Sequence, residues 1–490
     1  MSDQGQLVHH KEYDVVVVGA GLSGLQTAVK VQSAGFSVAV LEAMDRVGGK
    51  TLSVQSSSQG KGINDLGAAW INDSNQSEIY NLFLEAGLTP EKQLAEGKTL
   101  RQVEDGGYVS VPFGRIFVDE EEATAFAALF GALQKAADAS DLGDPISGPD
   151  AKRLDSLTFS EHCHELLDSP LTPIIATYLA RALLGVEGDE VSALFLINYF
   201  KSGTGIENLI SDGPDGGQYL RADKGMQTVS KYLASQLPSG SVHLTSVVKS
   251  ISQLSSTTGV EVVTTAKQTF KAKRVVVSLP STLYPTISFS PGLPPSKSIL
   301  AEGTAMGAYG KIIYVWATPW WREAGLSGTF EAPLSGYVSF TRETSVPEDN
   351  QWSITCFIAG DPARELSKYA QKVRRQKVWE QFTQAFEGSG VLKGGKMPEP
   401  IHVHEIAWKK NQYADGAPTA VMGPGVLTEL GKVTANPLRE PWGRVHFVGT
   451  ETSLVWKGYM DGAVRSGIRG GEEVVRALRE EGMELSLTHE

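Results

Sequence analysis

Four consecutive valines running into three closely spaced glycines constrain this chain more than anything else in it. Residues Tyr13–Glu42 read YDVVVVGAGLSGLQTAVKVQSAGFSVAVLE. A strand buried on both faces reads as an unbroken apolar run, so Val15–Val18 suit the centre of an open, largely parallel sheet. In the following Gly19-Ala-Gly21-Leu22-Ser23-Gly24, Gly19 permits a tight turn and Gly21 lets backbone approach a pyrophosphate. Gly24 lets the next helix lie close to the strand. That helix starts near Leu22 and aims its N-terminal N–H groups at the phosphates. A second apolar run, Ser37–Leu41, ends at Glu42, whose carboxylate can accept hydrogen bonds from a ribose and repels a 2′-phosphate. The glycine spacing alone would also fit an ordinary turn. Strand, helix, second strand and terminal glutamate in register specify a dinucleotide.

Composition sets the frame around this motif. A chain of 490 residues exceeds one ordinary core and divides into two or three domains. With 44 basic against 56 acidic residues the net charge is −12, which argues against nucleic acid or an anionic membrane as partner. Cys163 and Cys356, the only two cysteines, supply neither a disulfide framework nor a metal cluster. The polar first dozen residues carry no secretory leader, no run is long and apolar enough to span a bilayer, and the last residues form no targeting tripeptide. The expectation is a cytoplasmic protein.

Strand-like segments fall at Tyr13–Val18, Ser37–Leu41, Val242–Leu244, Val260–Thr264, Arg274–Ser278 and Arg444–Val448. The first and last both end in glycine turns suited to one nucleotide, so the nucleotide domain is assembled from distant pieces. Glu120–Ala139 and Ser160–Leu184 read as helices. Gly310–Trp316 and Ser353–Ile358 read as strands of a second sheet. Asp141–Asp150 and Pro291–Pro295 read as linkers. The fold class is therefore α/β: a Rossmann-like domain over 1–89, 223–300 and 410–490, whose GR2 type is what the resemblance given next implies, and an α+β substrate domain with a mixed sheet over 90–222 and 301–409.

Ala43-Met-Asp-Arg46-Val-Gly48-Gly49-Lys50 resembles the second dinucleotide signature of FAD-dependent amine oxidases. Val445-His-Phe-Val-Gly449-Thr450-Glu451-Thr452, with Trp456-Lys-Gly-Tyr459-Met460-Asp-Gly-Ala463, resembles the flavin-closing motif of the monoamine oxidase family. The similarity runs from Tyr13 to about Arg479. It is dense at both ends and over Lys273–Pro295, and loose between. It implies FAD contacts from Gly19, Gly21, Leu22, Ser23, Gly24, Glu42, Ala43, Arg46, Gly49 and Lys50, and from Val248 through its backbone. It implies the same of Gly449, Thr450 and Met460. Asp65-Leu-Gly67-Ala68-Ala69-Trp70 resembles the loop beside the flavin ring, and Trp408 stands where a family tryptophan precedes the 417 loop. Lys311, in Met306-Gly-Ala-Tyr-Gly-Lys311-Ile-Ile, is similar to the lysine that holds a water against the flavin. By its residues alone it could equally be a snorkelling surface lysine. Tyr459 resembles one wall of an aromatic cage that guides the amine, and Gln218 and Trp456 resemble substrate-side residues.

Departures from the family pattern fall at four residues. The second cage ring would fall at Pro418, which has no π-face, so the resemblance here implies an aliphatic amine in place of an arylalkylamine. Ala417 stands where relatives attach the flavin through cysteine, so FAD is expected to be non-covalent. Met44 and Lys50 replace family arginines, and lysine lacks the bidentate fork. The reading is a soluble flavin-dependent oxidase. It converts a primary, aliphatic amine, long-chain and fumonisin-like examples included, to an imine and then to aldehyde or ketone plus ammonia, with O2 reduced to H2O2. L-amino-acid oxidase, polyamine oxidase and a non-catalytic flavoprotein stay open. So does a homodimer, as among relatives.

Overall fold

The computed structural model describes residues 11–487 except 59, 116–119, 149, 256–258, 393 and 435. The ends read for a leader and a targeting tripeptide lie largely outside them. Among the described residues no helix is long and apolar enough to cross a membrane. The chain divides into two compact units, one of residues 1–49, 229–302 and 430–490, the other of 50–228 and 303–429.

The first unit is built on an eight-stranded sheet. Lys11–Val18 lies at its centre, paired in parallel with Val38–Leu41 on one side and Thr269–Val277 on the other. Val15, Val16 and Val17 are fully buried, as a strand covered on both faces requires. Val445–Phe447 adds in parallel to Thr269–Val277, and Gly259–Thr264 and Val248–Ser255 extend the sheet antiparallel. Helix Leu22–Ser33 packs against Met460–Leu487, where the side chain missing at Gly467 would otherwise strike the Ser23 carbonyl at 2.5 Å. The two ends of the chain thereby build one nucleotide-type core.

In the second unit a seven-stranded sheet runs in the order His402–Ala407, Tyr309–Trp316, Trp352–Ala359, Phe340–Glu343, Leu326–Glu331, Lys98–Gln102, Tyr108–Pro112. All neighbours are antiparallel except Leu326–Glu331 with Lys98–Gln102. Trp316, Trp321, Phe330, Phe382 and Phe386 fill the core between this sheet and helix Gln371–Gly388.

Glu120–Ala139 is helical throughout, but the helix expected over Ser160–Leu184 is two, Phe159–Leu166 and Thr172–Leu184. Pro170 and Pro173 explain the break, since proline removes an N–H and clashes with the preceding turn. The unit boundary also differs from the sequence division. Residues 50–89, 223–228 and 410–429, assigned above to the nucleotide domain, pack with the second unit. There Ser53–Gln55 pairs with Ile63–Asp65, and Ala420–Met422 with Thr304–Met306.

Candidate active site

In the first unit the three glycines have separable causes. Gly19 adopts φ +106°, and a β-carbon there would lie 2.8 Å from the Ser278 carbonyl oxygen. At Gly24 the same atom would lie 2.1 Å from the Gly19 carbonyl oxygen. Gly21 is different, because a β-carbon there would meet no atom within 4 Å among the described residues. Its bareness leaves a cradle at the helix N-terminus, where Gly21 caps without a side-chain bond and the first-turn N–H groups have no helical acceptor. Gly49 keeps that cradle clear, since its β-carbon would stand 3.3 Å from Gly21 Cα. The Glu42 carboxylate closes the far side: Oε2 accepts from the Ala20 N–H at 2.6 Å and Oε1 from the Met44 N–H at 2.9 Å. Burial raises its pKa, and those N–H bonds with nearby Arg46 pull the other way. Each oxygen keeps a further lone pair for a ribose hydroxyl. Arg46 folds onto the Val47 and Gly49 carbonyls, Ala43 follows Glu42, and Val248 is buried at the start of its strand. The donor set and the open cradle fit a dinucleotide.

Far along the chain in the same unit, Gly449 takes φ +149° and donates to Ser466 Oγ at 2.8 Å, opening the turn Thr450–Thr452. Thr450 Oγ1 donates to the Tyr459 carbonyl at 2.8 Å. Trp456 is wholly buried and meets the Tyr459 ring edge-on at 4.9 Å, so it braces that ring from behind. Met460 heads the long helix Met460–Leu487.

In the second unit Lys311 does not snorkel. Its ammonium donates to the Gly67 carbonyl at 2.5 Å and the Asp65 carbonyl at 3.1 Å, and lies 5.3 Å from the centres of the Trp70 and Phe357 rings. One of its three protons is left for another acceptor. Burial lowers its pKa to about 8, against the pull of the Asp65 carboxylate. Asp65 is itself raised to about 6 by burial, opposed by Ser53, Lys311, the Met226 N–H and Arg221. Gly67 is required because a β-carbon there would lie 2.1 Å from the Lys50 carbonyl oxygen, which accepts from the Ala68 N–H. Ala69 is buried beside it, and Trp70 Nε1 donates to Gln93. Trp408 donates to the Leu66 carbonyl at 3.2 Å and packs on Ala414 and Ala417. Lys50, expected to help with phosphate, donates to the Pro418 carbonyl at 3.1 Å and so ties down the 417 loop.

Trp70, Tyr309, Phe357 and Gln218 line a cavity of about 360 Å³, walled mainly by Leu, Ile and Phe side chains. Gln218 Nε2 donates to the Leu209 carbonyl at 3.0 Å, while its Oε1 is buried without a hydrogen-bond partner among the described residues.

This arrangement has known counterparts. The family model for flavin containing amine oxidoreductase matches residues 22–475. A flavin-containing amine oxidase of Oncorhynchus mykiss is 32% identical over 94% of this chain and 86% of its own. The human flavin-containing amine oxidase B is 31% identical over 95% and 86%. Among solved structures, cyclohexylamine oxidase from Brevibacterium oxydans IH-35A superposes with a TM-score of 0.86 at 28% identity, covering 95% of this chain and 99% of that one. Wild-type putrescine oxidase bound to putrescine gives 0.85 at 26%, over 95% and 99%. The chain belongs to the flavin-containing amine oxidase family. It is thus an oxidoreductase acting on amines with oxygen as acceptor, and its implied cofactor is FAD.

Beyond the flavin signatures, the amine oxidase has a charged cavity wall that sequence reasoning missed. Arg342 Nη1 contacts Glu331 at 2.7 Å, Arg342 Nε stands 3.4 Å from Asp212, and the Tyr178 hydroxyl donates to Glu331. Arg101 lines the same cavity. These residues are scattered along the chain and share no motif, so nothing local marks them.

Proposed function

We propose that this chain oxidises a primary aliphatic amine, long-chain examples of the fumonisin-like kind included, at the carbon bearing nitrogen, with FAD bound non-covalently. The observation that carries the reading is the largely apolar cavity beside buried Lys311. The chain's likeness to enzymes named for cyclohexylamine and putrescine supports an aliphatic substrate.

When bound, FAD supplies the two-electron acceptor for the amine's α-carbon–hydrogen bond and returns the electrons to O2 as H2O2. The chain does the rest. Apolar walls disfavour an ammonium ion, and the positive charge on Lys311 repels one, so the neutral amine is the form admitted. Gln218 Oε1, which lacks a protein donor, accepts an amine N–H. Lys311 holds a water with its remaining proton. Tyr459, which Trp456 meets edge-on, is the ring that the family resemblance assigns to the amine's approach. The imine product takes up water and leaves as aldehyde or ketone plus ammonia.

Pro418 removes one aromatic wall and relaxes any demand for an aryl group. Ala417 carries no nucleophile, so no bond to the flavin forms there. Peroxide production with hexylamine, benzylamine and a sphingoid-like amine tests the reading. The aliphatic amines should be turned over best, to equal amounts of aldehyde, ammonia and peroxide; benzylamine as the best substrate would overturn the role given to Pro418.

A further inference from the structure

Lys311 and Arg101 terminate one row across the second unit's sheet. Lys311 pairs with Phe357, Phe357 with Phe340, Phe340 with Glu331, and Glu331 with Arg101. Directly paired residues share a face of the sheet. Here the four from Phe357 to Arg101 all line the cavity. The row crosses four strand spacings, so about 19 Å separates the two end residues along the sheet. Between them the Phe340 and Phe357 rings stack at 4.6 Å and 18°, giving the row an aromatic middle.

The charges at the far end are not equivalent. Arg342 is neutralised by Glu331 and Asp212, lies over the Phe340 ring, and leaves Glu331 to take the Tyr178 hydroxyl as well. Arg101 has no such partner. Among the described residues its guanidinium makes no hydrogen bond or ion pair, and its Nε is buried and unsatisfied. Glu331 and Glu122 act on it only through space. Glu104 also lines this end but is exposed to solvent. Arg101 is half-buried, and its Nε, closed off without an acceptor, is costly unless a ligand supplies one.

We propose that Arg101 is a distal specificity residue that receives a carboxylate at the far end of an extended amine whose nitrogen lies at the Lys311 end. The proposal rests on the amine oxidase reading and names the substrate class within it: an apolar-chained amine ending in an acid. The planar fork of arginine matches a carboxylate in two hydrogen bonds. A second ammonium would meet Arg101 itself, with Glu331 already taken and Glu104 and Glu122 the remaining acids of the lining. An α-amino acid does not fit either, because its carboxylate is one carbon from the reacting centre and the row separates the two cations by most of the sheet's width.

The test compares 12-aminododecanoate, dodecylamine and 1,12-diaminododecane as substrates of the holoenzyme and of its Arg101→Met and Arg101→Lys variants. The ratio of kcat/KM for 12-aminododecanoate over dodecylamine should be about tenfold or more in the native enzyme. It should fall towards one in Arg101→Met and lie between in Arg101→Lys, whose retained charge also controls for misfolding. A ratio near one in the native enzyme, a ratio that survives Arg101→Met, or preference for the diamine would overturn the proposal. Calorimetric binding of dodecanoate separates this from the parent reading. If no amine is oxidised while dodecanoate binds about tenfold more weakly to Arg101→Met, the oxidase reading fails and the anion site stands.

Discussion

The Lys311 ammonium donates to the carbonyl oxygen of Gly67 at 2.5 Å. A second bond, to the Asp65 carbonyl, fixes its direction, and two aromatic rings flank it. A strand otherwise buried and apolar from Gly310 to Trp316 thus carries one cation in a defined place. Its desolvation is offset by carbonyl dipoles, ring faces and the Asp65 charge.

Lys311→Met is expected to retain FAD and fold while lowering kcat roughly 10²-fold. Flavin absorbance per protein and peroxide production with a good amine measure the two effects. Native-like turnover in a flavin-loaded variant would refute the role given to Lys311.

The glycines of the first turn should respond differently to one change. In Gly24→Val the new side chain collides with the Gly19 carbonyl, so the variant should be destabilised by several kcal/mol, roughly as an overpacked core residue is, or fail to fold. Gly21→Val meets no protein atom at its β-carbon. It should fold and be purified largely without flavin. Gly21→Val with full flavin content would remove the cradle from the account.

Non-covalent attachment has a direct readout. Acid precipitation should leave all the flavin in the supernatant, because Ala417 offers no sulfur to hold it. Yellow colour in the washed pellet would contradict this.

Lys297 provides a pH test in the first unit. Its side chain is 1% exposed, donates to the Pro437 carbonyl at 2.6 Å, and lies 4.1 Å over the Phe447 ring. Burial lowers its pKa to about 7, with Glu440 pulling the other way. The unfolded chain, with an ordinary lysine pKa, then binds more protons between about pH 7 and pH 10.5. Stability from this group therefore rises with pH across that window, by at most about 1.4 kcal/mol per pH unit. The destabilising contribution is fully present below pH 7. Denaturant melts at pH 7 and 9 should show this slope in the native protein and its loss in Lys297→Met. Equal slopes in both would contradict a depressed pKa.

The nucleotide core was legible because its chemistry dictates backbone: Val15–Val18, Gly19, Gly24 and Glu42 each have a steric or hydrogen-bonding reason visible in one short segment. The structure adds that Glu42 is spent partly on the Ala20 and Met44 N–H groups, which no residue-by-residue reading shows. The cavity wall was not legible. Arg101, Glu331, Phe340, Phe357 and Lys311 meet only through strand register, and register is set by the whole sheet. The unit boundary differs for a similar reason, since Ser53–Gln55 and Ile63–Asp65 follow the nucleotide signature in sequence but pair with each other in the second unit.

Anaerobic mixing of the purified protein with hexylamine, benzylamine, a polyamine and a sphingoid-like amine, while the flavin's visible absorbance is recorded, tests the central claim most directly. The account predicts bleaching by the aliphatic monoamines and recovery on admitting air, with peroxide formed in step. Bleaching by benzylamine or the polyamine alone, or by none of these amines, would contradict it.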